Sequence, residues 1–357
     1  MRTLVNLHIH AKIGFVLLFG LLFYFVFHPI PAYAQQTSVT PLDLTVRPSL
    51  LELNAAPGET ITQKIQIRNN SSAAQSFKIQ VSKLAPSDDL TQIIPADPKA
   101  DDEYINWLKF ENQTFNAAAQ EWTDIPLTIN VPLSAAYGYY YAVRFTPTAL
   151  DPNNQTTAKV QGEVVVPILL KVKKDGAKVE AQIVDFKSDK GIYEYLPTEF
   201  TALIKNTGNV HLKPGGNIFI SGQGNKDLAI LEFNDKLGNI LPSSEREFKT
   251  SWNDGFITYE PKMAGEQEVT DTNGQVQKEL VIHWDKLTHM RFGPYQARLY
   301  MVYDDGTRDV AIDKTVNFWV IPYTVIAIIL VVVVVAVLLI RLMLRSYVKS
   351  QLKKHQR

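Results

Sequence analysis

The chain has 357 residues, 46% of them hydrophobic, enough for two ordinary domains plus membrane segments. Its 36 Lys and Arg balance 36 Asp and Glu, but eight of the basic residues lie in residues 1–34 and 321–357, which hold no acid, so the middle carries 28 against 36, a net charge of −8. That balance speaks against nucleic acid as a partner, since such binding needs clustered Lys and Arg to displace counterions, and the absence of cysteine rules out disulfides and thiolate metal sites.

After a sparse basic start (Arg2, Lys12), residues 13–27 form the apolar run IGFVLLFGLLFYFVF, followed by HPIPAYA with Ala32 and Ala34 as a small-x-small pair. This is the pattern of a secretory signal peptide, residues 1–34, cleaved after Ala34. Read as an uncleaved anchor, the segment exports the middle of the chain equally. From there to residue 320 the hydrophobic pattern has period two. ITQKIQI sets Ile61, Ile65 and Ile67 against Thr62, Lys64 and Gln66, and FKIQV does the same with Phe77, Ile79 and Val81. The alternation returns at Ile125, Leu127, Ile129 and Val131, at Val164, Val166, Ile168, Leu170 and Val172, at Ala297, Leu299, Met301 and Tyr303, and at Val316, Phe318 and Val320. Short alternating runs between Gly, Pro, Asn and Asp clusters predict strands with one solvated face, an all-β fold of the sandwich type.

Two landmarks recur in the same order. PGETITQKIQIRNNS (57–71) resembles LPTEFTALIKNTGN (196–209), each a Pro turn, a β-branched strand, Ile-basic-Asn and a polar turn. Later in each half, Tyr137-Gly138-Tyr139-Tyr140-Tyr141-Ala142 matches Phe292-Gly293-Pro294-Tyr295-Gln296-Ala297 as aromatic-Gly-x-Tyr-x-Ala. The repeat predicts two tandem immunoglobulin-like β-sandwiches, residues 35–173 and 174–320, divided near KKDGAK (173–178). Tyr140 and Tyr295 become candidates for the tyrosine corner of such domains, with the ring buried and the hydroxyl returned to nearby backbone. The stretch IKNTGNVHLKPGG (204–216) reads as a strand exit in which Asn206 and Gly208 turn the chain, and His211 is structural or merely exposed. Two regions, 85–104 with Asp88, Asp89, Asp97, Asp101, Asp102 and Glu103, and 222–274, read as loop-rich, the first as a solvated acidic loop.

Residues 321–344, IPYTVIAIILVVVVVAVLLIRLML, are long and apolar enough to cross a bilayer, and 325–340 contain no polar residue. The tail, 345–357, is basic, and Arg341, Arg345, Lys349 and Lys353 recur every four residues as one stripe along a continuing helix. Positive charge is retained inside, so the expected topology is a single pass through the plasma membrane with the ectodomain outside and the C-terminus cytoplasmic.

The layout, together with residues 44–81, 131–145, 204–216 and FWVIPY (318–323), resembles the WxL-interacting proteins of Gram-positive surfaces and, more loosely, the PapD-like sandwich. That resemblance implies a signal peptide, two immunoglobulin-like domains, one membrane helix and a short basic tail. It further implies a first domain associated with peptidoglycan and a second with other proteins, including WxL-domain partners.

Catalytic constellations are missing from the pattern. His211, His283 and His289 form no H-E-x-x-H motif, and no G-x-S-x-G elbow occurs. DTNG at Asp271 and DDG at Asp304 lack the twelfth-position Glu of a calcium loop and read as hairpin turns. The expectation is therefore a non-catalytic, membrane-anchored cell-surface binding protein without cofactor or metal, recognising peptidoglycan or another surface protein. The alternative is an accessory or sensor subunit that couples its ectodomain to a membrane or cytoplasmic partner.

Overall fold

The computed structural model describes residues 43–148, 162–224 and 227–355, so the expected signal peptide with Ala32 and Ala34 lies outside the described residues. The first ten strands are β1 (Leu44–Arg47), β2 (Leu51–Ala55), β3 (Thr60–Asn69), β4 (Gln75–Pro86), β5 (Ile93–Ala96), β6 (Leu108–Phe110), β7 (Thr114–Ala117), β8 (Trp122–Asn130), β9 (Tyr137–Pro147) and β10 (Val164–Val172). They form one sheet ordered β1-β3-β8-β6 and a second ordered β2-β10-β9-β4-β5, with β7 also against β4. All pairs are antiparallel except β2 with β10. The alternation seen in the sequence supplies the core between the sheets: Ile65, Ile67, Ile125, Leu127 and Ile129 from one, Ile79, Val143, Phe145, Val166 and Ile168 from the other.

Twelve further strands follow: β11 (Ala181–Ser188), β12 (Ile192–Tyr193), β13 (Thr198–Asn206), β14 (Gly215–Ser221), β15 (Asp227–Phe233), β16 (Glu245–Trp252), β17 (Ile257–Pro261), β18 (Met263–Ala264), β19 (Gln267–Glu268), β20 (Lys278–Ile282), β21 (Gly293–Asp304) and β22 (Asp309–Val320). The sheets β11-β13-β16 and β12-β22-β21-β14-β15 enclose a separate core around Phe200, Ile204, Trp252, Leu299, Met301 and Phe318. Two small ribbons, β17-β20 and β18-β19, stand outside it. The chain is thus all-β, two tandem sandwiches, followed by the helix α1 (Tyr323–His355), whose residues Tyr323–Arg345 are long and apolar enough to cross a membrane and are unburied.

The expected loop at 222–274 is corrected by β15 and β16. In DLAILEF the inward set is Ala229, Leu231 and Phe233, partly masked in sequence by the charges at both ends of the strand. The turns at Asp271 and Asp304 are hairpin turns, with Gly274 and Gly306 at positive φ and each Asp side chain accepting backbone N–H bonds from the turn.

The repeated Ile-basic-Asn has a chemical basis. Asn206 is fully buried; its Nδ2 donates to the carbonyls of Val210 (2.8 Å) and Ile240 (2.9 Å), and its Oδ1 accepts from Gly208 N–H (2.9 Å). Asn69, equally buried, donates to Ala73 O (2.8 Å) and Ala117 O (3.1 Å) and accepts from Ser71 N–H (3.1 Å). A carboxamide has both donors and acceptors, so one side chain bonds three backbone groups at the strand exit, of which the Ile240 carbonyl also takes the Leu212 N–H. Gly208 is required by close approach, because a Cβ there would stand 2.2 Å from the Lys178 carbonyl oxygen.

Candidate functional site

Three tyrosines in succession on β9 have three different surroundings. Tyr139 and Tyr141 point into the first sandwich, where Tyr104 and Trp107 from the 3-10 turn Glu103–Trp107 pack on them, with Trp107 and Tyr139 centroids 4.5 Å apart. Tyr140 points the opposite way, out of its own sandwich. Its hydroxyl accepts a 2.8 Å hydrogen bond from the His211 backbone N–H, and its ring meets the imidazole edge-on at 5.6 Å.

This corrects the sequence pairing by one residue. The Tyr139 hydroxyl accepts from Ala136 N–H and the Tyr295 hydroxyl from Phe292 N–H, each three residues back. Tyr137 (φ 72°) stands where the second sandwich has Gly293 (φ 110°). Tyr139 and Tyr295 are therefore the equivalent corners, and Tyr140 is a seam residue.

The seam continues on both sides. Leu84, Tyr140, Ala142 and Leu169 from the outer face of the β2-β10-β9-β4-β5 sheet cluster with Leu241 of the second sandwich. Glu52 accepts from Lys213 Nζ (2.7 Å) and Asn239 Nδ2 (3.0 Å). Leu90 O accepts from Glu247 N–H (2.8 Å), and Thr91 O from Arg246 Nε (3.2 Å). Leu90 and Thr91 at the tip of the acidic loop thus dock on β16, while Asp88, Asp89, Asp97, Asp101 and Glu103 are exposed as expected and Asp102 at its far end pairs with Lys83 at 2.7 Å. Burial, reinforced by Lys171 and Lys213 and opposed by Glu52, pushes the His211 imidazole down to about 4. Of the two roles considered for His211, the structural one applies.

A cleft opens beside β4 on the first sandwich. Along β4, residues 75–78 pair with β7 and 83–86 with β5, leaving Gln80–Ser82 between the two ladders. Ile79 N–H donates to Gln113 O on that side, so strand alternation directs the Val81 backbone to it as well. The resulting cleft, about 400 Å³, is lined by Lys78, Gln80, Asn106, Lys109 and Gln113 over an apolar floor.

No family model matches the chain. No curated protein matches it either. Among solved structures, the class 5 fimbrial chaperone CfaA covers 76% of this chain and 99% of its own at 16% identity and TM-score 0.34. The CsuC–CsuE chaperone–adhesin complex of Acinetobacter baumannii covers 76% and 97% at 13% identity and TM-score 0.36. PapD-like domain 7 of human CEP192 covers 38% and 87% at 9% identity and TM-score 0.27. These neighbours are immunoglobulin-like and PapD-like proteins; the sandwich architecture of this chain rests on its own sheets and cores.

The remaining sequence candidates fall away from the cleft and the seam. Arg341 and Arg345 lie on α1, and Lys349 and Lys353 fall within the same helix. His283 bridges Thr258 and Glu260 at 2.9 and 2.8 Å within the β17-β20 ribbon, and His289 pairs with Asp254 at 2.9 Å. Both are staples of one excursion, and no group of metal-ligating side chains occurs among the described residues. The cleft was invisible in sequence because it arises from where two partner strands stop. Its one legible trace was the Lys and amide content of residues 78–80 and 106–113.

Proposed function

We propose that this chain is a non-catalytic, membrane-anchored surface protein that binds peptidoglycan through the cleft beside β4. The observation that carries this reading is the interrupted edge at Gln80–Ser82, where free backbone faces a cleft lined by two lysines and three carboxamides. Peptidoglycan stems present carboxylates and amides in an extended chain, the complement of such a lining. The resemblance to WxL-interacting proteins points to the same ligand for the first domain. In this reading residues 35–320 are exported and α1 crosses the plasma membrane, with Arg341, Arg345, Lys349 and Lys353 holding its C-terminal end inside.

The test is co-sedimentation of residues 43–320 with purified sacculi. Enrichment over an albumin control, lost on Lys78→Glu/Lys109→Glu, is the expected result; no enrichment of the unmodified protein refutes it. Topology is read separately. A Leu133→Cys variant of the cysteine-free chain should react with an impermeant maleimide on intact cells, and a Ser350→Cys variant should not.

A surface protein, such as a WxL-domain protein, is the second reading. It is favoured by the outer edge of β15, which ends its sheet and exposes Ile230. An added strand from a partner would cover it. Ile230→Lys would then abolish crosslinking to that partner while leaving sacculus binding intact.

A further inference from the structure

Between Trp252 and Gly293 the second sandwich sends out an excursion that leaves several large apolar side chains exposed. Trp284 is 75% exposed, Leu287 62% and Phe292 61%, on or beside the 3-10 turn Trp284–His289. Such side chains grouped on one short segment mark a contact surface rather than scattered surface apolarity.

The register fixes where this surface lies. Gly293 pairs with Val320, and Tyr323, three residues on, begins α1. Phe292, one residue before that pair, is abreast of the link into the helix. Trp252, from which the excursion departs, pairs with Thr198 and packs edge-on against Tyr295 at 5.4 Å. The Tyr259 hydroxyl and the Thr324 N–H both donate to Glu194, tying the base of the excursion and the first turn of the helix to one carboxylate. The exposed surface and the membrane-crossing segment therefore leave the sandwich at the same end.

The segment is also held rather than loose. Asp254 accepts from His289 Nδ1 (2.9 Å) and Arg291 (2.8 Å), Arg291 lies over the Trp252 ring, and Phe256 exchanges backbone bonds with His283 and His289. Trp284 packs edge-on against Phe256 at 5.6 Å while most of its surface remains open.

We propose that Trp284, Leu287 and Phe292 insert into the outer interface of the bilayer that this chain's own helix spans, making a second, monotopic contact beside the transmembrane one. The occupant follows from chain continuity: the helix places the bilayer at this end, and Trp and other amphipathic aromatic side chains favour the headgroup boundary. Two contacts fix the tilt of the ectodomain, which one flexible crossing would not. The proposal rests on α1 being membrane-embedded.

The test uses the full chain in phosphatidylcholine vesicles, with single cysteines carrying an environment-sensitive fluorophore at Leu287, Leu133 and Val332. Lipids bearing a nitroxide at the headgroup or in the acyl chain serve as quenchers. Insertion to roughly 5–10 Å predicts headgroup-nitroxide quenching at Leu287 of about twofold or more, with Leu133 unquenched and Val332 quenched by the acyl-chain probe. Val332 quenched with Leu287 like Leu133 overturns the interfacial contact and leaves the anchor standing, the outcome expected if a protein partner covers the surface. Val332 unquenched overturns the anchor and this proposal together. Leu287 is mostly exposed, so its labelling leaves the core intact, and a label at Phe292 repeats the measurement.

Discussion

Replacing Asn206 with Ala removes the carboxamide that closes the strand exit of the second sandwich. It strands the Val210 carbonyl and the Gly208 N–H, and takes one of two donors from the Ile240 carbonyl, which keeps the Leu212 N–H, all inside a site where Asn206 itself has no exposed surface. A buried group left without its partner costs about 1–3 kcal/mol, and taking the low end for each of two gives a loss of about 2 kcal/mol. With a denaturant slope of about 1–3 kcal/mol per molar, the urea midpoint falls by roughly 0.7–2 M. Equilibrium urea unfolding of residues 43–320, followed by tryptophan emission, measures it. Asn206→Asp sharpens the test, because it keeps the acceptor for Gly208 but sets a carboxylate oxygen against two carbonyls. It should be at least as damaging as Ala at neutral pH. A loss below about 1 kcal/mol for Asn206→Ala, typical of an exposed polar residue, would refute the reasoning by showing that water satisfies the corner. Asn69→Ala should reproduce the effect in the first sandwich.

Three other outcomes are expected. His211 is held neutral, its folded pKa of about 4 lying below the ordinary 6.5. The unfolded chain therefore takes up a proton first as pH falls, and stability is lost between about 6.5 and 4 by up to roughly 3 kcal/mol; His211→Phe should abolish this part of the difference between urea midpoints at pH 7.5 and 4.5. Tyr140→Phe leaves the His211 N–H without its acceptor and should lower stability by about 1–2 kcal/mol, whereas Tyr300→Phe, on an exposed position, should change the midpoint negligibly. Asp254 is partly buried, which raises its pKa, but the bond from His289 and the charges of His289, Arg291 and Lys286 outweigh this and hold it below the usual range. Its contribution is present above the unfolded value near 3.9 and is lost as pH falls through the lower folded one. Asp254→Asn should accordingly speed tryptic cleavage at Lys286 and Arg291 at neutral pH severalfold, with cleavage elsewhere unchanged.

The fold was largely legible because one-sided burial writes itself into a strand as alternation. β3 and β21 show it most cleanly, with Ile65 and Ile67 inward in one and Tyr295, Ala297, Leu299, Met301 and Tyr303 in the other. Where both faces are covered, the signal changes. β10, VVVPILLKV, carries apolar residues on its second face too, and Leu169 there is buried against the seam. A near-continuous apolar run is the trace that double covering leaves in a strand. Tyr140 hid the same contact behind a motif match. Aromatic-Gly-x-Tyr aligned it with Tyr295, although the property shared by the true corners is a positive-φ residue two places before the tyrosine, filled by Tyr137 in one copy and Gly293 in the other. The acidic loop was legible only in part for a related reason: composition gave the exposure of its carboxylates, and the docking of Leu90 and Thr91 on β16 depends on a tertiary contact more than 150 residues away in sequence.

The seam bears on function because it is made by strand faces rather than by the linker. Tyr140, Leu84 and Leu169 lie on paired strands of the first sandwich; His211 and Leu241 are tied to the second by the Asn206 corner and the Leu212–Ile240 bridge. Such elements do not bend independently of their cores, so a rotation at the seam would have to expose Leu241 and Leu169 and break the Glu52–Lys213–Asn239 set together. Two sandwiches joined in this way carry any orientation imposed at the helix end through to the cleft beside β4. Anchoring at Trp284 and Leu287 would then set the direction in which Lys78 and Lys109 face the wall. Separating the sandwiches with Tyr140→Ser/Leu241→Ser should leave sacculus binding by the soluble ectodomain intact while weakening retention of the full-length, membrane-held chain on the wall.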